Sequence, residues 1–205
     1  MAHKPSEAWS QKLHESVTSL PPNRRYILTH DKNGKSVVHS SPPQMYNGIP
    51  GTGGMARSYA TSTVPANLNG DKDIDAYLST EGSTSYTGRD IVVPTLRGSN
   101  LVVVDLAPGG LSQMHRTISI DYSICTNGHI KMELDNGDVV DLKPGDHVIQ
   151  RGTMHKWTNA SMTEPARFVA VTLPCEPFEI PGKSEMLEEV HVAGSEARDY
   201  DISKL

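Results

Sequence analysis

Two histidine-bearing segments lie between Gly109 and Asn159, with two short alternating runs and an Asn-Gly pair between them. The first reads Gly-Gly-Leu-Ser-Gln-Met-His115-Arg-Thr117-Ile-Ser-Ile-Asp121, and Gly128 closes it. The second reads Pro144-Gly145-Asp146-His-Val-Ile-Gln150-Arg-Gly152-Thr-Met-His155-Lys-Trp157-Thr-Asn159. Asn136-Gly137 predicts a two-residue hairpin, because both central residues of such a turn need positive φ. On a regular strand, positions i, i+2 and i+6 share a face, so His115, Thr117 and Asp121 point one way. A hairpin that folds the second segment over the first brings His155 into the same interior. Two imidazoles and a carboxylate on one inner face form a donor set for a divalent transition metal.

The rest of the chain reads as strands, turns and loops around that unit. Trp9, Leu13, Val17 and Leu20 form an apolar stripe, which predicts an amphipathic helix over 6–20, stopped by Pro21-Pro22. Tyr26–His30 and Ser36–Ser40 flank Asp31-Lys-Asn-Gly-Lys and predict a second hairpin. From Ser41 to Gly70, Pro, Gly, Ser, Thr and Asn dominate, which predicts loop with one short strand near Ser58–Thr63. Asp71-Lys-Asp73-Ile-Asp75 has the start of a calcium loop but Ala76 and Gly82 where Gly and Glu belong. It reads instead as the acidic N-terminus of a short helix carrying Ile74, Tyr77 and Leu78. Ile91–Pro94, Leu101–Leu106 and Arg167–Leu173 are expected strands, and Ser184–Val190 one or two helical turns. Gly51-Thr-Gly-Gly54 lacks the Gly-Lys-Ser/Thr of a phosphate loop and reads as ordinary loop.

The length of 205 residues suits one domain with extensions, and the formal charge of −5 with no basic run excludes nucleic acid as an expected partner. No apolar stretch approaches a membrane span and the opening residues carry no apolar signal region, so a cytoplasmic protein without membrane partners is expected. Cys125 and Cys175 are expected to stay reduced.

The two histidine segments resemble the motifs of the cupin superfamily. Gly109, His115, Thr117, Asp121 and Gly128 fall at the spacing of the first motif, and Gly152, His155 and Asn159 at that of the second. Thr117 stands where the motif has a second His, Asp121 where Glu is usual, and Gln150 where Pro is usual. The phrase Gln-Arg-Gly-Thr-Met-His is similar to small single-domain cupins of microbial and fungal secondary metabolism. The resemblance implies an all-β, double-stranded β-helix (jelly-roll) barrel over 96–180. Residues 1–95 would form a helix, hairpin and loop extension packed on it, and 181–205 a tail.

It also implies a metal site of His115, Asp121 and His155, with Asp121 either binding the ion or orienting a histidine. Gln150, Gln113 and Thr117 are the expected substrate-facing residues: the two amides hydrogen-bond substrate or metal-bound water, and Thr117 leaves a coordination position open. Two His and one carboxylate are the ligand set of non-haem Fe(II) oxygenases, so Fe(II) is the favoured ion, with Zn(II) or Mn(II) as alternatives. The leading expectation is an oxygenase acting on a small oxygenated or aromatic metabolite. A non-redox lyase or isomerase is the second reading, and a non-catalytic small-molecule binder the third. The apolar stripe at Trp9, Leu13 and Val17 and the edge strands of the first hairpin point to a homodimer.

Overall fold

Alternation of apolar and polar residues makes strands the main regular structure of the described residues. The computed structural model describes residues 12–13, 17–49 and 52–195. Its elements begin with β1 (Lys12–Leu13), β2 (Ile27–His30), β3 (Ser36–Ser40), β4 (Tyr46–Ile49) and β5 (Gly53–Thr61). The one α-helix, α1 (Lys72–Leu78), follows among the described residues. Then come β6 (Ser99–Leu106), β7 (Met114–Arg116), β8 (Ser119–Asn127), β9 (Ile130–Leu134) and β10 (Val139–Leu142). The last are β11 (His147–Arg151), β12 (His155–Asn159), β13 (Ala166–Pro174) and β14 (Val190–Val192).

Two antiparallel sheets face each other. One has the order β1-β4-β5-β6-β13-β8-β11, the other β10-β9-β12-β7-β14, and β2-β3 form a separate ribbon. The inner faces share one core that includes Val102, Leu106, Cys125, Ile130, Met132, Leu142, Trp157 and Phe168. Trp157 and Phe168 stack across it at 4.4 Å, adding to the apolar area that they remove from water. Strand β8 shows the pattern well: Ser119, Asp121, Ser123 and Cys125 are buried, while Tyr122 and Ile124 lie outside. This all-β, cupin-type barrel has the jelly-roll arrangement expected.

The N-terminal part and the tail are built into the sheets. β4 and β5 extend the larger sheet, β14 extends the smaller, and α1 packs with Ile27, Tyr59 and Tyr86 on the outside of β5. Arg167 pairs with Asp105 through two hydrogen bonds of 2.5 and 2.7 Å and donates to the Pro21 carbonyl at 2.8 Å. Thr18 adds a bond to Asp105, so a buried ion pair clamps the chain's early residues onto the sheet.

Several expectations need correction. The helix over 6–20 falls largely outside the described residues, and Lys12–Leu13 within it pairs as a strand with Asn47 and Tyr46. The Gly/Ser-rich stretch holds two strands, β4 and the nine-residue β5, rather than one short strand. Ile91–Pro94 is bend and turn: its Ile91 carbonyl accepts from the Asn100 and Thr172 side chains instead of a strand neighbour. Ser184–Val190 forms no helix, but a bridge from Met186 to Glu179 and then the start of β14. The β9–β10 turn is a three-residue loop, closed by Leu134 and Asp138, in which only Gly137 has positive φ, at 88°.

The hairpin β2–β3, the short helix α1, and strands over 101–106 and 167–173 stand as expected. No helix among the described residues is long and apolar enough to cross a membrane.

Candidate functional site

His115 sits on β7, the second strand from the edge of the five-stranded sheet, and pairs directly with His155 on β12. Directly opposed residues on antiparallel strands point to the same face, and the two rings lie with centroids 4.3 Å apart. Both are buried. Trp157, two residues beyond His155, meets its ring edge-on at 5.7 Å and separates the pair from the core. On the opposite sheet, β8 presents Asp121 between its register partners Gln150 on β11 and Thr172 on β13, all three buried.

Thr117 and Asp121 share the interior with His115 for a different reason than regular alternation along one strand. The chain breaks between β7 and β8 at Thr117-Ile118, and the two strands belong to different sheets. His115 therefore faces inward from one wall and Asp121 from the other. Thr117 lies buried at the crossing, with its hydroxyl bonded to that of Ser119 at 2.7 Å.

The local hydrogen bonds set the state of each histidine. His115 Nδ1 lies 2.8 Å from the Gln113 carbonyl, and His155 Nδ1 lies 3.0 Å from the Thr153 carbonyl. A carbonyl can only accept, so each Nδ1 carries the proton and each Nε2 keeps its lone pair. Gln150 Nε2 lies 3.0 Å from His155 Nδ1 and donates to the same Thr153 carbonyl at 2.8 Å, so one oxygen gathers both donors. Burial drives the His155 pKa down to about 3, helped by the neighbouring His115. Burial likewise lowers that of His115, with His191 adding to the effect. Both rings are neutral at neutral pH, the form in which imidazole binds a metal.

Asp121 is pushed the other way. Desolvation raises its carboxyl to about 6, against a smaller lowering by the Ser119 hydroxyl. Among the described residues, its Oδ1 and the Oε1 of Gln150 are buried with no hydrogen-bond partner.

No family profile matches the chain. Phomopsin biosynthesis cluster protein C′ of Diaporthe leptostromiformis is 42% identical over 174 residues, 82% of this chain and 87% of the relative. Protein D of the same cluster is 43% identical over 171 residues, with the same two shares. The cupin-domain-containing oxidoreductase fogC of Aspergillus ruber is 33% identical over 181 residues, 86% of this chain and 83% of the relative. The chain belongs to the cupin family.

In this cupin the donors suit a divalent ion in kind. Among the described residues, two neutral imidazoles have one nitrogen anchored and the other without a hydrogen bond, and a carboxylate oxygen stands buried and unpaired. Among the described residues, however, no three His, Cys, Asp or Glu side chains gather closely enough to hold one ion. His115 and His155 are together; Asp121 is turned inward from the facing sheet.

Gln150 is buried, and its amide nitrogen lies 3.0 Å from His155 Nδ1. Gln113 reaches His115 through its main-chain carbonyl. Asn159 is fully buried and its amide donates to the Leu106, Ala107 and Glu164 carbonyls. Sequence reasoning passed over His191, which pairs in register with His115 from β14. Its only sequence signal is the alternation Val-His-Val in a polar tail.

Proposed function

We propose that this cupin is a metal-dependent oxidoreductase of fungal secondary metabolism, of the Fe(II) oxygenase type, acting on a small oxygenated or aromatic metabolite. The observation that carries the reading is the His115–His155 pair, 4.3 Å apart, neutral, and anchored so that both Nε2 atoms keep their lone pairs. The names of the relatives, an oxidoreductase and two biosynthesis cluster proteins, support the same class. His115 and His155 would hold the ion, with Asp121 contributing from the facing sheet. Bound there, the ion would supply Lewis acidity and, as Fe(II), one-electron redox chemistry.

The chain's own groups do the rest. The Thr153 carbonyl, which also accepts from the Gln150 amide, holds the His155 ring in one orientation, as the partner of a ligand's other nitrogen generally does. The Trp157–Phe168 stack keeps water out beneath the histidines. Thr117 offers a small hydroxyl, already bonded to Ser119, where the motif would place a bulky imidazole, and so leaves space for substrate. Asp121, with its pKa near 6, can hold or release a proton at Oδ1 close to neutral pH.

That poise also favours a second reading, acid–base chemistry in a non-redox lyase or isomerase with Zn(II) or Mn(II). Metal analysis of protein purified without added metal separates the two. Stoichiometric iron supports the oxygenase, stoichiometric zinc or manganese the second reading, and no bound ion contradicts both.

A homodimer is part of the proposal. On the β2–β3 ribbon, Leu28 and Val38 oppose each other in register and are 66% and 59% exposed. A two-stranded ribbon is marginal alone, and a second copy would cover this one.

A further inference from the structure

The larger sheet is apolar on both of its faces. Inward residues of β6, β8 and β13 build the core, while Leu101, Tyr122 and Val171 on the same strands project outward. Strands with apolar residues on both faces are those buried on both faces. Part of the outer face has cover, since Val17 and Tyr46 pack with Val103 and Val169. The adjoining part lies open, and register aligns it into a row. Tyr59 on β5 opposes Leu101, Leu101 opposes Val171, Val171 opposes Tyr122, and Tyr122 opposes Ile149 on β11. Directly opposed residues of antiparallel strands project to one face, so these five form a stripe across the strands. With neighbouring strands about 4.8 Å apart, it spans roughly 19 Å.

Exposure rises along the stripe. Tyr59, Leu101 and Val171 are half-buried, Tyr122 is 42% exposed and Ile149 59%. Ile124, also 42% exposed, widens it at β8. At its other end the stripe runs into the β2–β3 ribbon: Tyr59 and Leu101 line a cleft of about 620 Å³ together with Ile27, Leu28 and Ile74. Leu28 is the residue that opposes Val38 on the ribbon, so ribbon and stripe make one surface. Outward positions lie about 7 Å apart along a strand, so the stripe alone offers roughly 300 Å². Each partner in a stable protein pair buries about 800 Å², and only with the ribbon and the cleft does this surface approach that size. None of the five stripe residues carries a charge, so the face that matches it best is another uncharged stripe. A second copy brings one, and a two-fold axis pairs the same patch on both chains.

We propose that two copies of the chain pair through this outer face of the larger sheet, stripe and ribbon together, and that the pairing braces one wall of the histidine site. The inference rests on the homodimer reading above, to which it adds the sheet face and the link to the site. Tyr122 and Ile149 oppose each other on the outside, and their chain neighbours Asp121 and Gln150 oppose each other in register and are buried. β11 is the edge of its sheet, held there by β8 alone among the described strands. A second copy packed on Ile149 therefore holds down the edge strand that carries Gln150.

The test is sedimentation of the full chain over a series of micromolar concentrations, for wild type, Ile149→Lys and Tyr122→Lys. Val139→Lys, at an exposed apolar position on the other sheet, is the control. Far-UV circular dichroism reports folding, and Ile149→Ser replaces the lysine variant if that one does not fold. The expected result is a dimer for wild type and Val139→Lys, with the dimer dissociation constant raised at least about 30-fold in the stripe variants, as for loss of a hot-spot residue. Backbone amides over 147–151 should also exchange hydrogen faster in the Ile149→Lys monomer than in the wild-type dimer, and equal exchange would overturn the bracing of the site. If the stripe variants dimerise like wild type while Leu28→Lys with Val38→Lys is monomeric, the inference is overturned and the ribbon dimer survives. If Val139→Lys loses the dimer as readily, the stripe has no special part and the inference is again overturned. A wild-type monomer overturns the inference together with the homodimer reading, and leaves the face to a partner of another kind.

Discussion

Burial dominates the chemistry of single residues here. Among the described residues Asp121 has no ion-pair partner to offset its desolvation, so its carboxyl rises from 3.8 to about 6. A carboxyl that binds its proton more tightly in the folded than the unfolded state loses stability as pH rises from its ordinary value through the raised one. In the metal-free protein Asp121→Asn removes that penalty. The variant's advantage in melting temperature over wild type should be small at pH 4, grow up to about pH 6 and then level off. An advantage that does not depend on pH would show that Asp121 does not titrate in this way. The effect of the histidines has the opposite sign, since His155 resists protonation down to about 3, but they are common to both proteins and cancel in the difference. The role of Asp121 was only partly legible in the sequence. Motif spacing identifies the residue, whereas its place on the opposite sheet from His115 depends on a strand break at Thr117-Ile118 that no pattern announces.

At the scale of elements, β8 and β13 were readable because their buried and less buried residues alternate or form β-branched runs. β4 and β5 were not, because they need glycines where strands are normally rich in bulky residues. Gly53 has φ of 143°, and a Cβ there would sit 2.1 Å from the Asp105 carbonyl oxygen of the neighbouring β6. The glycine that reads as loop is what lets two strands approach. Gly53→Ala should therefore destabilise the protein by at least the roughly 1–3 kcal/mol of a strained backbone position, seen as a lower denaturant midpoint. An unchanged midpoint would mean that β5 does not pair at Gly53 as described. β14 was hidden for another reason. It has only three residues, in a polar tail, and owes its existence to pairing with Met114–Arg116 rather than to its own propensity.

For the whole molecule, the two sheets take strands from the early, middle and late chain, so the histidine site depends on the entire fold. The exposed ribbon at Leu28 and Val38 predicts self-association. Sedimentation at micromolar concentration should show a dimer that Leu28→Lys with Val38→Lys converts to monomer, and a wild-type monomer would contradict it. The central claim is that His115 and His155 form a metal-binding pair at the inner face of the barrel. It is tested most directly by measuring bound metal per chain in wild type and His155→Ala prepared side by side. The account predicts about one divalent ion per wild-type chain and none in the variant, with the same far-UV circular dichroism for both. Equal metal content in the two proteins would contradict it, and so would a wild-type chain that retains none.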